Sequence, residues 1–426
     1  MPAQQPIAVY ARLKPVLPGE EAGAATSGRR ISGFDAAAGT VSVAKGDSEE
    51  VTFDHLKATL PPEATQAEVY DAMARPLVER FVEGYDVDLL SYGQTGAGKT
   101  FSMFGPPRSM EAASAALGGG ETAEAVLKDE HGFILRSGMD CLRALEEVEK
   151  RGGKARLFGS MVELSILSLT EQSVSDLLKS KRACYVDDNN HLQGAMQVPL
   201  RKPEDVVRLA AAVEQRCVRG TKMNDTSSRS HCVASFTLLV VEDGNLRTSR
   251  LQFFDMMGSE RFKGGNAAHD EKHSTQSTMG GWEGIFANLS LSALASAVDA
   301  AAQQRKTGKK RSIDSAMVGF LLTKLLMGSL VGSAMTGMVA CLSQAPKNGE
   351  ETFLSLKYTA RMAQLMNAPK VQPSENAEKA LARARKHHMA ISALVAKGVA
   401  GKYQARRAAE LTACTWELGV LEDMVG

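Results

Sequence analysis

The sequence predicts an α/β fold in which a central, mostly parallel β-sheet is flanked by helices on both faces. Short apolar segments rich in β-branched residues alternate with segments of helical periodicity along most of the chain. A glycine-rich loop follows one of these strands and leads into a helix, and no internal repeat interrupts the alternation. Because parallel strands need crossover connections between them, this order predicts one wound sheet.

The predicted strands are short, mainly apolar runs, and the predicted helices repeat apolar residues every three or four positions. The strands are, in chain order, Ile7–Tyr10, Val51–Asp54, Val87–Tyr92, Met161–Leu167, Val233–Val241, Leu251–Phe254 and Met338–Leu342. Helices are predicted over residues 65–84, which stop at a glycine, and over residues 204–219. Residues 105–130 contain a Gly-Pro-Pro turn and three consecutive glycines, so they predict an elaborated surface loop.

Composition limits the classes of partner and compartment. The chain has 426 residues, a net charge of +1 and 5% aromatic residues that are not interleaved with basic clusters, so nothing in its composition indicates nucleic acid as a partner. It has no apolar run of about 18 residues, which predicts no membrane span. Its six cysteines lack a C-x-x-C pair, which argues against zinc and disulfides and favours a reducing, intracellular compartment.

Residues 93–100 read GQTGAGKT, a complete G-x-x-x-x-G-K-T phosphate loop directly after the strand Val87–Tyr92. Backbone N–H groups of such a loop surround the phosphates of a nucleotide, Lys99 reaches the β- and γ-phosphates, and Thr100 offers its hydroxyl to Mg²⁺. Glycines are needed because a side chain would block close approach of the backbone to phosphate. The alternative is a glycine-rich turn with a surface lysine, but the strand–loop–helix context favours nucleotide binding.

Two polar segments resemble partners of the phosphate loop. Residues 224–231 read NDTSSRSH, and their hydroxyls are suited to ordering Mg²⁺ and a water molecule. Residues 255–260 read DMMGSE after a strand, and an acidic residue three positions before a glycine is typical of the Mg²⁺ shell and γ-phosphate sensor of phosphate-loop NTPases. Taken singly, the first segment is also compatible with a hydrogen-bonded turn and the second with a helix cap or turn.

The ordered motifs RLKP, YGQTGAGKT, NDTSSRSH and DMMGSE resemble those of the kinesin motor domain, as does EETFLSLKYTARMAQLMN at 350–367. The similarity covers about residues 7–370. It implies the fold of a kinesin-type phosphate-loop NTPase, with ATP or ADP and Mg²⁺ as ligands. The NDTSSRSH segment is close to diagnostic, because other phosphate-loop classes do not use it.

The resemblance implies a role for each matching residue. Residues that contact the nucleotide would be Arg12, Lys14, Pro15, Gly93, Gln94, Thr95, Gly96, Ala97, Gly98, Lys99, Thr100 and Phe101. Catalytic residues of the two switch segments would be Ser227, Ser228, Arg229, Asp255, Gly258 and Glu260. Mg²⁺ would be held by Thr100, Ser228 and Asp255, the last through water. An ion pair between Arg229 and Glu260 would close the switches over the γ-phosphate.

The sequence departs from the family pattern in one switch segment and in two segments that face the microtubule in kinesins. Met257 stands where the family has a small residue, and Leu289 replaces a lysine in the long helix that contains Asn288. The family's basic YRDSKLTRLL stretch is replaced by the apolar sequence at 318–326. The changes at Leu289 and at 318–326 remove charges that would face the microtubule.

A cluster of five cations lies between these two segments and favours the opposite conclusion. The cations are Arg305, Lys306, Lys309, Lys310 and Arg311. With the Asn288 helix, they are the candidate contacts to the acidic surface of tubulin. The alternatives are a solvated loop that keeps the protein soluble and, less favoured, a nuclear-localisation signal.

The chain is predicted to divide into a motor domain at 1–370 and a neck-like linker with short helices at 371–426. The helices are predicted at 374–397 and 402–424, separated by two glycines, and their apolar positions do not sustain a heptad repeat. They are therefore expected to pack as a hairpin on the motor domain or against a protein partner.

Two functions are compatible with the sequence. The first is a kinesin-type ATPase that couples nucleotide state to microtubule binding, in the cytoplasm and on the cytoskeleton. The alternative is a non-motile kinesin-fold protein, associated with microtubules or acting as a scaffold, that binds nucleotide with weak or no microtubule-stimulated hydrolysis.

Overall fold

The structure is a computed structural model, and it describes residues 4–18, 20, 28–46, 49–166, 172–179, 184–214, 216, 230–260, 289–303, 320–398 and 403–426. Its strands are β1 Gln5–Pro6, β2 Ala8–Lys14, β3 Arg29–Asp35, β4 Thr40–Lys45, β5 Glu49–Phe53, β6 Ala58–Leu60, β7 Val87–Tyr92, β8 Lys154–Ile166, β9 Gln172–Asp176, β10 Tyr185–Val186, β11 Leu192–Gln193, β12 Val198–Pro199, β13 His231–Glu242, β14 Asn245–Asp255, β15 Met335–Ser343, β16 Met366–Asn367 and β17 Glu375–Asn376.

The described helices lie between these strands and at the end of the chain. They are α1 Gln66–Val69, which continues through a π-turn at Tyr70–Ala74 into α2 Arg75–Val82, then α3 Lys99–Met103, α4 Ser109–Gly118, α5 Ala123–Val126, α6 Phe133–Lys150, α7 Pro203–Ala211, α8 at 289–303, α9 Leu321–Leu325, α10 Met327–Val331, a 3₁₀ turn at Pro346–Asn348, α11 Gly349–Met362, α12 Ala377–Ala396 and α13 Tyr403–Val425. Among the described residues, no helix is long and apolar enough to cross a membrane.

Within the described residues the central sheet has ten strands, and it is mixed where a mostly parallel sheet was predicted. The strand order is β12-β8-β13-β14-β7-β15-β2-β6, with β9 added to β8 and β17 added to β14. The pairs from β14 to β6 are parallel, whereas β12, β8, β13 and β14 pair antiparallel. The prediction missed a hairpin: Asp243 and Gly244, both with positive φ, join β13 directly to β14.

Side chains alternate between the two faces of the sheet along each strand, so a hydrophobic core lies on each face. In β15, Val339 and Cys341 belong to the core beneath α2, α6 and α7, whereas Met338, Ala340 and Leu342 belong to the core beneath α8, α9 and α11. Helices therefore cover both faces, as predicted.

The segment at 105–130 is helical, so the prediction of a surface loop there was wrong. Helices α4 and α5 occupy much of it. Met110, Ala113 and Leu117 are buried on the inner side of α4, and their spacing of three and four residues is that of an amphipathic helix. The glycines and prolines end and connect these helices, but the alanine-rich stretch between them forms the helix.

The two C-terminal helices form a hairpin that packs on the sheet. Residues of α12 and α13, including Ala380 and Leu421, share a small core with Phe158 of β8 and Leu246 of β14. An ion pair of 3.0 Å joins Arg156 Nε to an Asp423 oxygen of α13. A boundary at residue 370 stays a prediction.

Asp88 of β7 is a carboxyl group buried in the sheet, and it gives a first test of the fold. Ser329 of α10 donates a hydrogen bond to it, and burial raises its pKa to about 7. Between pH 4 and 7 the folded state then holds a proton that the unfolded chain has lost, so stability falls as pH rises through this window. We expect Asp88→Asn, which keeps an acceptor for Ser329, to remove this dependence of the unfolding free energy on pH. The slope that is lost is up to about 1.4 kcal/mol per pH unit.

Urea unfolding of parent and variant at several pH values measures this slope. The stability gained by Asp88→Asn should grow from pH 4 to 7 and then level off. The exposed Asp54, changed to asparagine, is the matched control for the substitution itself. Parallel stability curves for parent and Asp88→Asn would contradict the buried, protonated carboxyl.

Candidate nucleotide-binding site

Strand order brings the predicted motifs to one edge of the sheet. The phosphate loop follows the carboxyl end of β7, and Asp255 is the last residue of the adjacent parallel strand β14, paired in register with Ser91. Arg12 lies near the carboxyl end of β2 in the same parallel half. Ligands of open α/β sheets bind at this edge, so the predicted site residues meet because of the sheet topology.

The glycines of the loop at 93–100 are required by its backbone. Gly93 has φ +147°, and a Cβ placed on it would lie 2.3 Å from the carbonyl oxygen of Cys341. Gly98 has φ +102° immediately before α3, a conformation that residues with side chains rarely adopt. A Cβ on Gly96 or Gly98 would meet nothing within 4 Å, so this rim of the loop faces open space.

Lys99 begins α3 and is buried inside the loop. Its Nζ donates hydrogen bonds to the carbonyl oxygens of Gly93 at 2.9 Å and Gln94 at 2.8 Å. Burial lowers the pKa of Lys99, and the nearby Asp255 carboxylate opposes that shift. Because an ammonium group has three N–H donors, these two bonds leave one for an anionic ligand.

Thr100 and Asp255 form the contact expected of a Mg²⁺ site. The Thr100 hydroxyl donates to Asp255 Oδ2 at 2.8 Å, and the Ser91 hydroxyl lies 3.3 Å from Asp255 Oδ1. Hydroxyl and carboxylate oxygens suit Mg²⁺, which uses few protein ligands together with water and phosphate oxygens. No group of three His, Cys, Asp or Glu residues within the described part of the chain forms another candidate metal site. The residues present therefore fit Mg²⁺ beside a nucleotide.

Arg216 is a site residue that no sequence motif singled out. It is 1% exposed, and its Nη1 donates to Asp255 Oδ2 at 3.0 Å. Its Nη2 donates to the carbonyl oxygen of Ser230 at 2.7 Å, and its Nε lies 3.8 Å from Glu163. The Ser230 hydroxyl in turn donates to Glu163 at 2.6 Å. Arg216 thus holds the acidic end of β14 against β8 and the start of β13.

The DMMGSE segment packs directly on the phosphate loop. Glu260 accepts a hydrogen bond from the backbone N–H of Thr95 at 2.8 Å and another from its hydroxyl. A Cβ on Gly258 would lie 2.2 Å from the Thr95 hydroxyl, so only glycine fits there. Met257 is 3% exposed and belongs to the core, which accommodates its side chain without exposing it.

A cavity of about 750 Å³ beside the loop is lined by residues predicted to contact the nucleotide. Arg12, Lys14, Pro15 and Phe101 all line it, together with the phosphate loop. The Arg12 guanidinium lies 5.1 Å from the centroid of the Phe101 ring, and its Nη1 donates to Ser102 at 2.9 Å. Burial lowers the pKa of Arg12.

Two further side chains organise the cavity and had no assigned role. Gln66 accepts a hydrogen bond from Arg12 and donates to the carbonyl oxygen of Phe101, so it fixes the two residues together. Glu20 pairs with Lys14 Nζ at 3.0 Å, which ties the lysine to the mouth of the cavity. An arginine in place of Lys14 would present a planar fork there, but the lysine contacts Glu20 as a point charge.

Some predicted residues lie outside the described part of the chain. They are Ser227, Ser228, Arg229 and Asn288, with Arg305, Lys306, Lys309, Lys310 and Arg311. The Arg229–Glu260 ion pair and the tubulin contacts therefore stay predictions. The apolar residues that replace the family's basic stretch are described in part: Leu322 and Leu325 of α9 are buried in the core.

The family profile of the kinesin motor domain matches residues 12–365, which is most of the chain. The chain belongs to the kinesin motor-domain family. The match begins at Arg12 and ends in the EETFLSLKYTARMAQLMN segment, so it agrees with the extent of the resemblance noted in the sequence.

Curated relatives of this kinesin-family chain are themselves kinesins. Kinesin-like protein K39 of Leishmania chagasi is 29% identical over 378 residues, covering 80% of this chain and 36% of that protein. Human chromosome-associated kinesin KIF4A is 29% identical over 376 residues, covering 85% of this chain and 27% of that protein. Human kinesin-like protein KIF14 is 29% identical over 356 residues, covering 77% and 19%. The chain thus spans about a third or less of these relatives.

Solved kinesin structures share the fold. The structure of a fast kinesin aligns with a TM-score of 0.67 and 23% identity, covering 87% of this chain and 94% of that one. A KIF14 dimer with AMP-PNP, in complex with a microtubule, aligns with a TM-score of 0.66 and 25% identity, covering 87% and 97%. The predicted kinesin-type NTPase fold is confirmed.

Proposed function

We propose that this chain is a kinesin-type ATPase that binds ATP or ADP with Mg²⁺ and couples nucleotide state to microtubule binding. The observation that carries the proposal is the 2.8 Å contact between Thr100 of the phosphate loop and Asp255 of the neighbouring strand. These two oxygens belong to different motifs and meet where Lys99 is buried, and phosphate-loop NTPases build their metal and phosphate sites in this way.

The chain's own residues would position the nucleotide and polarise its phosphates. Backbone N–H groups of residues 94–99 would bind the phosphates, Lys99 would turn an N–H toward the β- and γ-phosphates, and the Gly258 N–H would sense the γ-phosphate. Bound Mg²⁺ would neutralise charge that develops on the phosphate oxygens. Arg216 would keep Asp255 in place through its 3.0 Å contact with Oδ2.

The switch residues would complete the catalytic site. Ser227 and Ser228 are proposed to lie beside the attacking water, with Ser228 as a ligand of Mg²⁺, and Arg229 is proposed to pair with Glu260 when the switches close. Glu260 contacts Thr95 of the phosphate loop, so an ion pair with Arg229 would join the two switch segments to that loop when they close. Stabilisation by positioned charges suits phosphoryl transfer to water, which needs little covalent chemistry from the protein.

Tubulin is the proposed partner, and the cytoplasmic cytoskeleton is the proposed location. The solved KIF14 relative is in complex with a microtubule, and the cationic cluster at 305–311 supplies the charge that an acidic surface attracts. A specific observation favours the non-motile alternative: Leu289 and the stretch at 318–323 lack the family's basic side chains, and Lys324 of α9 is the one cation kept in the stretch at 318–326. The C-terminal hairpin remains a candidate site for a protein partner.

Steady-state ATP turnover with and without microtubules, across a salt series, separates the two functions. A working motor should be stimulated about tenfold or more, because coupling between two sites is typically 5- to 150-fold. Stimulation should weaken as salt screens the contact with the acidic surface. ATP binding with slow turnover that ignores microtubules would support the non-motile protein, and no ATP binding would contradict both.

A further inference from the structure

His231 lies between the nucleotide-sensing segment and helix α8, and no role in the proposed reaction accounts for it. It is the first residue of β13, directly after Ser230, and it is 1% exposed. Side chains alternate along a strand, so Ser230 turns toward Arg216 and Glu163 while His231 turns to the opposite face.

Each ring nitrogen of His231 contacts a different element. Nδ1 lies 3.2 Å from the backbone nitrogen of Met257, and Nε2 lies 2.8 Å from the hydroxyl of Ser290 in the first turn of α8. A backbone N–H can only donate, so Nδ1 accepts, and the neutral ring then donates from Nε2 to Ser290. Burial, with the charges of Arg216 and Lys99, lowers the pKa of His231 to about 3, which agrees with a neutral ring.

The position of Met257 makes this contact a link to the nucleotide site. Met257 follows Asp255 by two residues and precedes Gly258, which packs against Thr95 of the phosphate loop. A shift of Gly258 toward a γ-phosphate would therefore move the Met257 N–H. The His231 ring is rigid, so its two bonds would transmit that shift to Ser290 and α8.

We propose that His231 is a positioning residue that couples the 255–260 segment to helix α8, so that nucleotide state is reported to the helix expected to face the microtubule. This role of His231 rests on the nucleotide binding proposed above. It adds one residue to that proposal and a path from the nucleotide site to α8. Met256, Met257, Leu291 and Leu294 share the surrounding core, which keeps the linked elements in contact.

Two near-isosteric variants separate the two bonds. His231→Asn places an amide oxygen near the position of Nδ1, so it keeps the Met257 contact and loses Ser290. His231→Gln reaches the position of Nε2, so it keeps Ser290 and loses Met257. Ser290→Ala removes only the hydroxyl that His231 contacts, and it is the mildest change if the histidine variants fold poorly. Ser249→Ala is the matched control, because Ser249 is equally buried and its hydroxyl donates to Phe81 far from this link.

Hydrogen–deuterium exchange of the full chain, with and without ADP or AMP-PNP and Mg²⁺, measures the coupling between nucleotide binding and α8. It does not depend on hydrolysis. In the parent and in Ser249→Ala, nucleotide should change exchange in both 255–260 and 289–303. In the His231 variants and Ser290→Ala, the response of 289–303 should fall about fivefold or more, since coupling of this kind is typically 5- to 150-fold. Affinity for fluorescent mant-ADP should stay within about twofold, because none of these residues is proposed to contact it.

The outcomes are distinct. A response of α8 in the variants that equals the parent's would overturn the role of His231. A parent that binds mant-ADP but shows no response in 289–303 would overturn the coupling and leave the nucleotide site intact. A parent that binds no nucleotide would overturn the proposed function itself.

Discussion

Lys99→Met should lower the affinity for mant-ADP by about 10- to 150-fold. Lys99 is the buried cation of the phosphate loop, and a charge-assisted hydrogen bond to a buried anion contributes about 1.5–3 kcal/mol. Fluorescence titration with mant-ADP in the presence of Mg²⁺ measures the loss. Methionine keeps the apolar stem and removes only the charge and the donors.

Stability should change little in the same variant. The ammonium group loses favourable hydration on burial, and the carbonyl oxygens of Gly93 and Gln94 are its compensation. Methionine removes the cost of that burial and the two bonds together. Lys150→Met, on the exposed face of α6, is the matched control and should leave affinity unchanged. Equal affinity of Lys99→Met and the parent would mean that residues 93–100 bind no phosphate.

The local part of this site could be predicted from sequence because a phosphate loop needs special residues at fixed positions. Gly93 and Gly98 have backbone angles that favour glycine, and Lys99 and Thr100 carry the only side chains whose chemistry the motif requires. Asp255 could be predicted as well, because it ends a strand. Parallel strands then placed both motifs at one edge.

The hairpin in the antiparallel half of the sheet could also have been predicted from the sequence. Asp243-Gly244 stands between two apolar runs, and Asp-Gly is a strong hairpin signal because both residues adopt positive φ in a tight turn. A hairpin there joins β13 and β14 without a crossover helix. The buried spacing at Met110, Ala113 and Leu117 was likewise readable as a helix, although the nearby glycines and prolines pointed to a loop.

The partners of Asp255 had no such signal. Arg216 and Glu163 lie on separate elements and match no short motif, and their meeting depends on how β8, β13 and β14 pair. A single sequence shows residue types and local spacing, but not which distant side chains face each other. The same holds for Gln66 and Glu20 at the cavity.

Arg216→Met should destabilise the nucleotide-free protein by about 3–5 kcal/mol, since breaking a buried ion pair leaves its partner uncompensated. The side chain of Arg216 is 1% exposed, and the carboxylates of Asp255 and Glu163 are buried with it. Removing the guanidinium takes away the ion pair of Asp255, the cation nearest Glu163 and the Nη2 donor to the Ser230 carbonyl. Urea unfolding in EDTA measures the change without a contribution from metal.

Arg208→Met is the matched control for this variant, because Arg208 lies on the neighbouring helix α7 and forms an exposed ion pair of 3.5 Å with Asp205. Surface pairs contribute about 0–1 kcal/mol, so that variant should stay close to the parent. Adding Glu163→Gln to Arg216→Met should recover part of the lost stability, because it removes one uncompensated charge while a Ser230 acceptor remains. If Arg216→Met were as stable as Arg208→Met, the guanidinium would not hold Asp255 beside Thr100, and the geometry of the metal site would need another origin.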